Sequence, residues 1–350
     1  MSTDLVARPS RIILSGIAPT AFQHPLDREA TNNLRKLKGF DTIVQKYIEF
    51  GSERIQYVLN VASYVRVGPR QFPTIYRLLQ EACATLDMRE PELYVAHGPV
   101  NAFTYGHTRP FIVLYTGLID SLTDDELLGV IAHELGHIKC GHVLYNEMAQ
   151  VIAVAASALG DLFFGLGDVI MIPIRLAFIT WGRRSEFSAD RSALLAVQQV
   201  QPCVGMLAKL AGGSSRFANE LDPEVFLEQA REYSEDMDKS NTSKIYRLIA
   251  SMYKGTHPFT VERAKALNDW IDSRQFEDVL NGNYERIKTG PGSQCGKCGY
   301  ELPSGAKFCV QCGEVVEVQT TGKRFCIKCG KLIGTDHKFC LNCGKEVNPE

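Results

Sequence analysis

Apolar positions along this chain fall at helical spacing in several stretches and into short strand-like runs in others. Leu127, Leu128, Ile131, Leu135 and Ile138 recur at the period of an α-helix and predict one face for the core. Just ahead of them, Thr123-Asp124-Asp125-Glu126 has the form of a capping box, which marks a helix start. Residues 40–64 read as a helix on Ile43, Val44, Tyr47, Ile48, Ile55, Val58 and Leu59, broken at Gly68-Pro69. Residues 72–86 read as another, carrying Ile75, Leu78, Leu79 and Ala82 on one side. Residues 92–96, 102–105 and 111–115 are strand candidates for a small sheet beside the helix that starts at Thr123. Residues 220–238 are acidic with helical rhythm and predict a solvated face, and residues 261–271 predict a closing helix. The Gly and Ser content of residues 202–218 predicts a turn region, and residues 282–294, ending Gly290-Pro291-Gly292-Ser293, predict a linker. Residues 1–39, with Pro9, Pro19 and Pro25, are poorly periodic, and part of them is expected to lie as an arm on the main domain. The pattern predicts an α+β fold, mainly helical with a small β-sheet.

Residues 148–181 depart from this amphipathic pattern. They are almost wholly apolar, yet Asp161, Asp168 and Arg175 interrupt them, and Pro173 and several glycines predict breaks. The longest run free of charged and amide side chains, residues 151–160, is about half of the ~20 residues that a spanning helix needs. A charge at mid-bilayer costs ~2.5–3.5 kcal/mol, so a simple span is disfavoured. The expectation is a hydrophobic helical hairpin packed on its own domain, on a dimer partner or on a membrane surface.

Composition changes the picture chiefly through cysteine. At 350 residues and 45% hydrophobic content the chain can bury a substantial core in two or three domains. A net charge of −2 argues against binding nucleic acid through phosphate contacts. Eight of the eleven cysteines form CxxC pairs: Cys295 and Cys298, Cys309 and Cys312, then Cys326 and Cys329, Cys340 and Cys343. The second four repeat the first at an offset of 31, and Phe308/Phe339, Gly299/Gly330 and Gly313/Gly344 repeat with them. Four thiolates at this spacing enclose one tetrahedral zinc, and units of ~25 residues have too little core to fold without such a staple. Two structural zinc ribbons are therefore expected, at residues 295–316 and 325–347, with no open coordination position. From Cys295 onward eight Lys/Arg face six Asp/Glu, so capture of a protein partner or substrate fits better than nucleic acid. Cys83, Cys140 and Cys203 are expected as buried thiols, with redox sensitivity open for Cys140. Residues 1–30 hold no apolar segment of signal-peptide form. Thiolate zinc persists in a reducing compartment. The expected location is therefore the cytoplasm, with peripheral contact or insertion at the inner membrane left open.

The candidate chemistry lies inside the capped helix, at His133-Glu134-Leu135-Gly136-His137. Residues four apart share a helical face, so His133 and His137 can both present imidazole nitrogens to one Zn²⁺. Glu134 can reach a metal-bound water and take its proton. A catalytic zinc needs a third ligand and an open position. A histidine six residues after the second is absent: position 143 is Val143, and His142 falls one short and reads as a polar residue near the helix C-terminus. The alternative is Glu186-Phe187-Ser188-Ala189-Asp190, where Glu186 closes the site and Asp190, four residues on, accepts the N–H of a ligand histidine. Small Ser188 and Ala189 would let this second helix come close to the first.

Asn101-Ala102-Phe103, the strand from Pro110 to Leu114 with Thr116-Gly117-Leu118, the HELGH stretch, and Glu186 to Asp190 resemble, in order, the HtpX-like zinc metallopeptidases, a gluzincin-type family that includes the CAAX prenyl proteases. The similarity runs over roughly residues 70–267. It implies a zincin-type domain and an endopeptidase with His133, His137 and Glu186 on zinc and Glu134 as general base, acting on protein or peptide substrates with quality control as one setting. It further implies that the strand carrying Asn101, Ala102 and Phe103 pairs with extended substrate, and that His257, in Thr256-His257-Pro258, stabilises the oxyanion. The resulting division is an N-terminal helical region at 1–69, a metallopeptidase domain at 70–281, a linker at 282–294 and the two ribbons, with one catalytic and two structural zincs. Two other readings stay open here: an adaptor whose peptidase domain has become a scaffold, and a processing enzyme for lipidated or membrane substrates.

Overall fold

The computed structural model describes residues 11–34, 53–107, 109–145, 166–254, 257–287, 289–294, 301–303, 323–325 and 332–334. They belong to two compact units, Met1–Ile287 and Lys288–Glu350. In the first unit helices α1 (Pro25–Leu34) and α2 (Glu53–Ser63) precede strand β1 (Val65–Arg66) and helix α3 (Pro73–Thr85). Strands β2 (Glu92–Ala96), β3 (Ala102–Tyr105) and β4 (Phe111–Tyr115) follow, then the short α4 (Thr116–Ile119) and α5 (Asp124–Cys140). The rest is helical: α6 (Leu166–Val197), α7 (Val200–Gly212), α8 (Pro223–Asp238), α9 (Asn241–Lys254), α10 (Thr260–Asp272) and α11 (Gln275–Leu280).

Helix α5 is the centre of this unit. The capping box is made as the sequence predicts: the Thr123 hydroxyl accepts from the Glu126 backbone N–H, and Glu126 Oε2 accepts from the Thr123 N–H at 2.7 Å. Leu128, Ile131, Ala132 and Leu135 have no exposed surface. Each of the larger three contributes roughly 1.5–3 kcal/mol by leaving water. Helix α6 lies against α5 at unusually short range. A Cβ on Gly136 would stand 2.6 Å from Ser192 Oγ and 3.1 Å from Ala189 Cα, and the Ser192 hydroxyl donates to the Ala132 carbonyl. Small residues on both helices thus set the separation. Ala189 acts as the sequence suggests, but Ser188 faces the N-terminal arm instead.

Three expectations are corrected. Pro173 does not break the chain: it sits inside α6, a single helix of 32 residues that also carries Glu186 and Asp190. Losing one backbone bond there costs about 3 kcal/mol, which burial of Phe178, Trp181 and the residues around Asp190 outweighs. The second arm of the expected hairpin is therefore the first half of the site helix, and residues 146–165 lie outside the described residues. Among the described residues no helix is long and apolar enough to cross a membrane. Residues 202–218 are not all turn, because Val200–Gly212 is a helix burying Cys203, Val204, Met206 and Leu207. Pro202 is tolerated because it falls in the first turn, where no backbone donor has an intrahelical partner. Finally, the stretch expected as linker ends in a strand, described below.

The sheet has the order β1-β2-β4-β3, with β2 and β4 parallel and both outer strands antiparallel to their neighbours. Alternation sends Leu93, Val95, Ile112 and Leu114 into the main core, and Tyr94, Ala96, Phe111 and Val113 to an aromatic layer with Phe103 and Tyr105. On β3 the same alternation turns Thr104 toward α5. Strand β3 is half-buried and lies at the sheet edge. The N-terminal arm packs as predicted, burying Leu14, Ile17 and Phe22, and Gly16 accepts from the Ile287 N–H at 2.7 Å.

In the second unit β5 (Thr289–Gln294) pairs with β6 (Glu301–Pro303), and β7 (Lys323–Phe325) with β8 (Leu332–Gly334). Gln294 faces Glu301 as Phe325 faces Leu332, so the cysteine repeat has a matching repeat of hairpins. The eight ribbon cysteines lie outside the described residues.

Candidate metal centre

Helical spacing aims two imidazoles at one point. His133 and His137 lie on the buried side of α5 with their Nε2 atoms 3.2 Å apart. Across the close contact with α6, Glu186 places Oε2 3.4 Å from His133 Nε2 and Oε1 3.4 Å from His137 Nε2. A tetrahedral ion with bonds of ~2.0–2.2 Å sets its ligand atoms roughly 3.3–3.5 Å apart, so these separations suit zinc. The lone pairs converge without a donor to satisfy them all: Glu186 Oε2 is buried and receives no aligned hydrogen bond, although nitrogens of His257, Arg263 and His133 lie within 3.2–3.4 Å. Among the described residues this trio is the one cluster of three or more suited to a metal.

The electrostatics ask for a cation. Glu134, Glu186, Asp190 and Asp27 are all buried here, and the buried guanidinium of Arg263 meets only two of them, Glu186 and Asp190. Burial opposes charge on His133, yet the facing carboxylates of Asp190 and Glu186 prevail and raise its pKa to about 9. Burial would raise Glu186, but Arg263 and the surrounding histidines hold it well below the usual carboxylate range. The same balance, led by Arg263, lowers Asp190.

Each imidazole is oriented from behind. Asp190 Oδ1 stands 3.0 Å from His133 Nδ1, where the sequence anticipates it. Arg263 clamps that carboxylate twice, Nε to Oδ2 at 2.8 Å and Nη2 to Oδ1 at 2.6 Å. His137 Nδ1 instead faces His142 Nδ1 at 3.0 Å, and His142 Nε2 faces Asp27 Oδ2 at 3.0 Å. This corrects the expectation for His142. Gly141 caps α5 in the left-handed conformation, φ 73°, and turns the chain back so that His142 is fully buried behind the site. Burial lowers the His142 pKa despite the facing Asp27, so the ring is neutral.

Glu134 Oε2 accepts from the Thr104 hydroxyl at 2.6 Å, which ties α5 to the edge strand. Asn101 precedes that strand, and Ala102 and Phe103 open it. His257 lies beside the cluster with Nδ1 3.2 Å from Glu186 Oε2 and its side chain 61% exposed. The predicted residues of the HExxH helix, Glu186, Asp190 and His257 are thus brought together, whereas Thr104, Arg263, His142 and Asp27 were not anticipated. Arg263 alone had a signal: it sits on the apolar face that Leu267 and Trp270 define, where a charge needs a buried partner. Cys83, Cys140 and Cys203 are buried, and burial pushes each thiol upward, Cys140 well above its ordinary value, which disfavours the thiolate.

A buried two-histidine, one-glutamate cluster with a carboxylate alongside is the site of a metalloprotease. Residues 69–271 match peptidase family M48, and the chain belongs to that family; residues 295–344 match the double zinc ribbon. Plastoglobule-localized metallopeptidase 48, chloroplastic, of Arabidopsis thaliana is 34% identical over 264 residues, 74% of either chain. Protease HtpX homologs of Moorella thermoacetica and Halobacterium salinarum are 26% and 29% identical, each over 43% of this chain and 58% of the relative, so the chain spans little more than half of those two. No solved structure matches. Zinc is the metal that both family matches imply.

Proposed function

We propose that this chain is a zinc endopeptidase in which His133, His137 and Glu186 hold the catalytic ion and Glu134 is the general base. The observation that carries the reading is the convergence of those three side chains at 3.2–3.4 Å beside a carboxylate that no ligand role requires. A zinc ion held there supplies Lewis acidity, acidifying a bound water and polarising the scissile carbonyl. Glu134, aimed by Thr104, takes the proton of the attacking water and returns it to the leaving amine. Asp190 holds the proton of His133 on Nδ1 and leaves Nε2 for coordination. The outer edge of β3, from Asn101 through Phe103, offers backbone donors and acceptors to an extended substrate, a mode that reads main chain more than side chains and suits quality control of varied proteins. His257, exposed at the rim, donates to the developing oxyanion.

Around this centre we assign residues 70–281 to the peptidase domain. The segments 295–316 and 325–347 become ribbons, with Cys295, Cys298, Cys309 and Cys312 on one structural zinc and Cys326, Cys329, Cys340 and Cys343 on the other. The ribbons serve protein capture. Casein cleavage by the wild type and by Glu134→Gln tests the mechanism. The variant is expected to keep its zinc and fold and lose about 10²–10⁴-fold in rate; unchanged cleavage would contradict it.

A further inference from the structure

Asp27 lies in the N-terminal arm, outside the residues that match the peptidase family, yet it is among the most deeply buried carboxylates of the first unit, with no exposed surface. Four side chains surround it. His142 Nε2 at 3.0 Å, Ser188 Oγ at 2.6 Å and Gln23 Nε2 at 3.0 Å meet Oδ2, and Thr31 Oγ1 meets Oδ1 at 3.0 Å. The arm is fastened around it at Ser188 and Trp181. The His24 N–H donates to Ser188 Oγ at 2.9 Å, and Trp181 Nε1 donates to Thr31 Oγ1 at 2.9 Å.

The proton positions along this chain follow from the ends. With Nε2 of His137 turned to the ligand cluster, its Nδ1 carries the proton. Nδ1 of His142, 3.0 Å away, must then accept, so the His142 proton is on Nε2 and is donated to Asp27. A carboxylate has no proton of its own to contest the last bond, so this assignment pairs a donor with an acceptor at both the His137–His142 and the His142–Asp27 contacts.

Resting on the reading of His133, His137 and Glu186 as the ligand set, we propose that His142 and Asp27 are positioning residues for His137, which makes the N-terminal arm a working part of the metal centre. Asp190 does for His133 directly what Asp27 does for His137 through a second imidazole.

The test is chelator competition for zinc on the full chain, counting ions, with His142→Phe and Asp27→Leu. Both variants are expected to hold the catalytic zinc about 10- to 100-fold more weakly while the two ribbon ions are unaffected. Asp27→Asn, whose amide oxygen still accepts from His142, is expected to stay within about threefold of the wild type. Catalytic-zinc affinity unchanged in both His142→Phe and Asp27→Leu would overturn the inference and leave Asp27 as an anchor of the arm only. His137→Ala separates the two readings: if it retains the catalytic zinc as the wild type does, the ligand assignment fails and the inference with it. Histidine ¹⁵N NMR of the zinc-loaded wild type needs no variant to fold. It is expected to show His142 protonated on Nε2, and a proton on Nδ1 instead would overturn the assignment.

Discussion

Two histidines four residues apart on one helix are held by opposite means. His133 meets its carboxylate, Asp190, directly, and a buried arginine clamps that carboxylate in turn. His137 reaches Asp27 only through the neutral ring of His142. The first arrangement is drawn from α6 and α10, inside the family's own segment; the second recruits an arm from outside it. The difference lies in what is left behind when a member is removed. Removing Asp190 strands the buried charge of Arg263, whereas removing Asp27 leaves only polar partners behind.

The largest effect should therefore come from Asp190→Ala. It leaves Arg263 buried with Glu186 at 3.3 Å as its one remaining acidic partner among the described residues, and stranding one member of such a pair costs about 3–5 kcal/mol. Both tryptophans, Trp181 and Trp270, are buried in the first unit, so urea unfolding followed by their fluorescence isolates it. A loss under about 1 kcal/mol would show that the two sides are held alike. Gly136→Ala sharpens the comparison from the other direction, since it presses α5 from α6 beneath both histidines. Overpacking costs about 1–3 kcal/mol and better helix propensity returns up to about 1 kcal/mol, so a modest net loss is expected in the same unfolding experiment. A stabilised variant would contradict the close approach of Gly136 to Ser192.

What was legible in the sequence was local. The capping box, the period of Leu128, Ile131 and Leu135, three of the four sheet strands and the spacing of Glu186 to Asp190 all show within a few consecutive residues, where chain geometry alone decides which residues share a face. The groups that went unread act across the fold. Thr104 reaches Glu134 from an edge strand, Asp27 arrives from an arm of weak periodicity, and His142 matters only because Gly141 reverses the chain. Misread punctuation has the same origin. Pro173 and the start of α7, with Pro202 and Gly205, are locally unfavourable for helix, yet each lies inside one that packs into the fold further along.

Zinc stoichiometry tests the central claim most directly. After dialysis against a mild chelator the wild type should retain three ions per chain. Glu186→Ala should retain two, having lost the one shared with His133 and His137. Three ions in both proteins would contradict the assignment of Glu186 to the metal.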